Sequence, residues 1–144
     1  MNKKNINYSH YYTKLDKKFH STIRKTDKLE TGIIYKERVN GKPIQDVRIL
    51  FKQKSTLKDL QIQFLRNDTD LETREEIYVL FNSFKKIIAD RFTNGLYLPY
   101  DFDKDIFTIY HLRVQNYKKR LTMEHSLWVN LTKRNISIIV IIVI

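Results

Sequence analysis

The chain has 144 residues, no cysteine, and a formal net charge of +11 from 27 Lys or Arg against 16 Asp or Glu. That length suits one domain with its own core, and 42% hydrophobic with 12% aromatic residues excludes a disordered chain. The missing cysteines exclude disulfides, thiolate zinc sites and a thiol nucleophile; with no apolar run behind Met1, they set the expectation of a cytoplasmic protein.

The charge is concentrated at the ends. Residues 1–28 carry eight basic and two acidic side chains, and residues 117–144 carry five basic and one acidic. The middle is nearly neutral. A basic face on a small domain suggests a polyanionic partner, nucleic acid foremost. The competing reading is a Lys-, Asn- and Ile-rich composition whose charge only solubilises the chain.

Residues 1–16 are polar and Tyr-rich without a clean period, and read as an N-terminal arm with a short helix near 11–15. "FHSTIR" (19–24) alternates Phe19, Ser21 and Ile23 with His20, Thr22 and Arg24, which is the period of a strand. Extending that alternation puts Lys18, His20, Thr22 and Arg24 on one face. "GIIYKERVNGKPIQDVRILFKQK" (32–54) is a hairpin, because Asn40-Gly41 suits the positive φ angles of a two-residue turn. On its second strand, Val47, Ile49 and Phe51 are expected on one side and Arg48, Leu50 and Lys52 on the other.

"STLKDLQIQFL" (55–65) predicts a short helix with Leu57, Leu60, Phe64 and Leu65 at helical spacing. Thr73 and Glu76 form a capping-box pattern ahead of a longer helix over 74–91, with Ile77, Leu80, Phe81, Phe84, Ile87 and Ile88 on one face. Thr93, Asn94 and Gly95 end it. "DIFTIYHLRV" (105–114) is a further strand. Strands that pair across intervening helices give an α+β fold. The chain closes on an apolar run, 136–144, that opens at Ile136 and ends at Ile144. It is too short to span a bilayer alone. Its β-branched, uncharged character suits partner binding or self-association.

The stretches "FHSTIRK", "ETGIIYKERVNGK", "VRILFKQKSTLKDLQIQFLRNDTD", "REEIYVLFNSF" and "FTIYHLRV" together resemble an ASCH domain of the PUA-like superfamily, over residues 17–116. The carriers are the Thr-x-Arg of Thr22 and Arg24, the Thr31-Gly32 before the hairpin, and the order of the connector, helix and final strand. The resemblance implies a small, strongly bent β-barrel with two flanking helices and a cleft beside the first strand. It also implies RNA or nucleotide binding. One bacterial branch of the family hydrolyses acetylcytidine through a Lys-x-x-Thr-x-Arg motif and a later acidic residue. Thr22 and Arg24 match that motif, the lysine position falls on Phe19 with Lys18 adjacent, and the acidic position falls near Asp68.

The first expectation is therefore a binding module for RNA or a modified nucleotide, with Lys17, Lys18, Thr22, Arg24, Lys25 and Lys28 as contacts. Arg24 suits a bidentate phosphate or base contact, and the lysines add salt-sensitive attraction. Tyr35 or Tyr110 would stack a base. The alternative is a small amidohydrolase acting on an acylated nucleoside through Lys18, Thr22 and Asp68, with the lysine as base. A third reading is a protein-interaction domain. The four histidines lack ligand spacing, so neither a metal nor another cofactor is expected. "NDTD" (67–70) and "DFDKD" (101–105) lack the remaining calcium-loop positions and read as turn and cap carboxylates.

Overall fold

The computed structural model describes residues 4–92 and 96–117, apart from the side chains at 88, 89 and 92. The expected helix stop at Thr93, Asn94 and Gly95 and the apolar run from Ile136 to Ile144 lie outside the described residues. The fold is α+β: five strands form one curled, mixed sheet and two helices flank it.

In chain order the elements are β1 (Asn5–Tyr8), a 3-10 turn (Thr13–Asp16), β2 (Phe19–Arg24), β3 (Ile34–Val39), β4 (Lys42–Ser55), α1 (Ile62–Thr69), α2 (Arg74–Phe92) and β5 (Phe107–Val114). Across the sheet the order is β1, β3, β4, β5, β2. Only the β1 and β3 pair is parallel; the others are antiparallel. The two edge strands are thus β1 and β2. The sheet curls until these edges meet: the Arg24 Nη2 of β2 donates to the Asn7 carbonyl of β1 at 2.9 Å.

Local chemistry accounts for most of these elements. Asn40 (φ 50°) and Gly41 (φ 80°) take the positive φ values that a two-residue hairpin turn requires. At the start of α2, the Thr73 hydroxyl accepts from the Glu76 N–H, the first bond of the capping box, and donates to the Glu76 carboxylate. The expected helix over 55–65 is displaced. Thr56 caps a turn at Asp59 instead, and α1 starts at Ile62. Leu57 and Leu65 are both fully buried all the same.

Residues 4–16 differ from the expected arm. Ile6 and Tyr8 of β1 and Leu15 of the 3-10 turn are buried in the core. Two apolar positions in a four-residue strand are too few to announce it by period.

Both faces of β5 are covered. Tyr110, Leu112 and Val114 point into the curl of the sheet with Val47 and Ile49. Phe107 and Ile109 point to the helices and meet Leu65, Ile77 and Phe81. Each such side chain contributes roughly 1.5–3 kcal/mol by leaving water. A β-bulge falls between Ile49 and Phe51 of β4. The extra residue, Leu50, breaks the alternation expected there, and Phe51 ends 52% exposed although Ile49 is fully buried. Among the described residues, no helix is long and apolar enough to cross a membrane.

Candidate functional site

A cavity of ≈ 570 Å³ lies where the two edge strands face each other, under the helices. β1 supplies Asn7 and Tyr8, the 3-10 turn Lys14, and β2 Thr22, Ile23 and Arg24, with Lys25 just beyond. The end of α1 supplies Asp68 and Thr69. α2 supplies Leu80, Phe81, Phe84 and Arg91. Tyr100 and Phe107 complete the aromatic side.

The 3-10 turn and α1 are fastened together. α1 ends at Asp70, whose left-handed backbone (φ 62°) stops the helix. Its carboxylate then accepts from the Thr13 N–H at 2.8 Å. That contact sets the next residue, Lys14, against Asp68: Nζ donates to Oδ1 at 2.8 Å, and both side chains are nearly buried. The Ser21 hydroxyl donates to the same Oδ1 at 3.0 Å. Lys14 Nζ also lies 5.3 Å and 5.2 Å from the Tyr8 and Tyr12 ring centroids, within cation–π range. Burial pushes the Lys14 ammonium below the ordinary lysine value, against the opposing pull of the Asp68 carboxylate.

Arg24 is held in place. Its Nε donates to the Thr22 hydroxyl at 3.0 Å, and its guanidinium sits 5.1 Å from the Tyr8 ring. Tyr8 connects the cavity to a polar cluster inside the curl. Its hydroxyl donates to Glu37 at 2.7 Å. His20 Nε2 donates to both Glu37 oxygens, at 2.8 Å and 3.0 Å, and Gln45 adds a donor at 2.9 Å. Burial alone would raise the Glu37 carboxyl, but the hydrogen bonds and charge of His20, with donors from Tyr8 and Gln45, hold it below the usual carboxylate range. Burial and the Glu37 charge push the Tyr8 phenol well up.

Of the residues expected from sequence, Thr22, Arg24, Lys25 and Asp68 converge on this cavity. Lys17, Lys18 and Lys28 are exposed and do not line it. Lys18 lies outside β2, and its ammonium rests 5.5 Å from the exposed Phe19 ring. Lys14 is the lysine that meets Asp68. Tyr35 and Tyr110 are corrected as stacking platforms, because both are buried in the core. The Asp101 and Asp105 carboxylates accept backbone N–H groups of their own turn, as the turn reading expects.

Lys14, Tyr8 and Arg91 were not legible as site residues. The one hint was a single lysine between Tyr12 and Leu15, which any burial of that segment must enclose. Outside the cavity, His111 stacks on Phe51 at 4.2 Å, and its buried Nε2 has no partner among the described residues. Burial pushes its imidazole down. No group of three or more metal-ligating side chains occurs among the described residues.

The chain matches no protein-family model, no curated protein and no solved structure.

Proposed function

We propose that the chain is a PUA-like, ASCH-type module that binds a nucleotide or single-stranded RNA in this cavity. The observation that carries the reading is a lining that joins cations to part-exposed rings. The fixed guanidinium of Arg24 and the ammonium of Lys25 share the cavity with Phe84 and Tyr100, both only half-buried. Cationic groups suit phosphate or a base edge, and rings suit a stacked base, worth about 1–3 kcal/mol each. The curled sheet with its cleft beside β2 agrees with the architecture that the family resemblance implies. The test is binding of the full chain to single-stranded and duplex RNA at several salt concentrations. Tighter binding of the single strand with a steep salt dependence is expected; no binding of either at low salt would remove the proposal.

A second reading is favoured by one specific observation: the Thr22 hydroxyl and the Lys14–Asp68 pair share the cavity. In hydrolysis of an acylated nucleoside, a water positioned by Thr22 attacks the acyl carbonyl while Lys14, in its neutral form, takes the water's proton. The acyl C–N bond then breaks, the base's amino group leaves with the proton that Lys14 returns to it, and Asp68 holds the Lys14 amine in place. Burial favours that neutral form. Lys14 here fills the role expected of Lys18. Acetate release from acetylcytidine, lost in Lys14→Met but retained in Lys18→Met, is the expected result; absence of turnover at high enzyme concentration sinks this reading.

A further inference from the structure

The charge of the cavity does not balance from within. Its lining acidic and basic side chains are Lys14, Arg24, Lys25, Asp68 and Arg91. Lys14 and Asp68 neutralise each other at 2.8 Å. The other three are all cationic, and none forms an ion pair among the described residues. Cations without an ion pair among the described residues occur elsewhere on this basic surface too, Lys17, Lys18 and Lys28 among them; Arg24, Lys25 and Arg91 differ in lining one cavity together.

Position adds to the count. Lys25 and Arg91 are exposed and stand at the mouth, one after β2 and one in the last turn of α2. Arg91 also offsets the negative end of its helix. Arg24 is already fixed by Thr22 and Asn7. A guanidinium held in one orientation loses little freedom on meeting an anion. A neutral ligand would leave three like charges around it, whereas a phosphate relieves their repulsion and accepts hydrogen bonds from each.

We infer that the cavity takes a phosphorylated nucleoside, its phosphate held at the mouth by Arg24, Lys25 and Arg91 and its base on the Phe84 and Tyr100 side. This rests on the nucleotide reading above and specifies it. The same chemistry is offered by a free nucleoside monophosphate and by the 5′-phosphorylated end of an RNA strand.

Calorimetric titration of the full chain at low salt tests it. The probes are the four ribonucleosides, their 5′-monophosphates, and a single-stranded tetraribonucleotide with and without a 5′-phosphate. The phosphate is expected to raise affinity by about tenfold or more, the scale of one charge-assisted contact. The gain should shrink with added salt and largely vanish in the Lys25→Gln/Arg91→Gln variant, whose two exposed substitutions leave the core untouched. A gain with the mononucleotide identifies free nucleotide as the source; a gain confined to the tetranucleotide identifies an RNA end. Equal affinity with and without phosphate, or a full gain retained in the double variant, overturns the inference while nucleoside binding stands. Failure of every probe to bind overturns the nucleotide reading as well.

Discussion

Lys14 and Asp68 close on each other at 2.8 Å from 54 positions apart, with side chains only 6% and 5% exposed. Desolvating two charges is costly, and their attraction roughly compensates it only while both are present. Asp68→Leu leaves the ammonium buried and unpaired, and should cost roughly 3–5 kcal/mol in urea unfolding. Lys14→Met combined with Asp68→Leu should recover most of that loss. Additive losses in the double variant would show that the two side chains act independently.

The N-terminal segment should be indispensable. Deleting residues 1–12 removes Ile6, Tyr8 and Tyr12 from the core, each worth roughly 1.5–3 kcal/mol. Against a total stability of about 5–15 kcal/mol, the shortened chain should not fold. Circular dichroism with cooperative thermal unfolding would contradict this.

Acid should destabilise the fold through Glu37. Its carboxyl lies below the usual value in the folded state. The stabilisation is therefore present above the unfolded value of about 4.3 and is lost as pH falls through the lower folded value. Melting temperatures followed from pH 6 to pH 2 should fall more steeply for the native chain than for Glu37→Gln. Parallel curves would place the acid sensitivity elsewhere.

Thr22→Val removes the acceptor for Arg24 Nε while keeping the shape of the side chain. Stability should drop by about 1 kcal/mol. Binding of a nucleoside monophosphate should weaken about tenfold as the guanidinium loses its orientation. Unchanged affinity would mean that Arg24 needs no positioning.

Gly41→Ala should cost about 1 kcal/mol because Gly41 sits at φ 80° with open space where a Cβ would stand. The penalty is conformational alone, so ligand affinity should not change. A chemical denaturation curve and one titration decide it.

Period and turn chemistry made much of the fold legible. β2 occupies the stretch that alternation marks, Asn40-Gly41 turns the hairpin, and α2 follows its capping box. What was illegible depends on distant partners. β1 is a strand because β3 lies beside it, and four residues carry too little pattern to say so. Leu50 is a bulge because β4 must match β5, which shifts Phe51 out of its expected place. At the site, alternation found Thr22 and Arg24, since a strand fixes which side chains share a face. It placed Lys18 with them by extending the strand one residue beyond its start. Lys14 took the position beside Asp68 because Asp70 fastens Thr13, and no local rule announces such a contact.

The position of β2 has a consequence for how the protein is made. Among the described residues, Phe19 to Arg24 pair only with Arg113 to Thr108 of β5, so one wall of the cavity waits for nearly the last described element. Long-range pairings of this kind form slowly, because the ends of a long loop must meet first. During synthesis the hairpin and helices emerge while the Thr22 and Arg24 strand still lacks its neighbour. The cavity wall is thus complete only once the chain has been made as far as Val114.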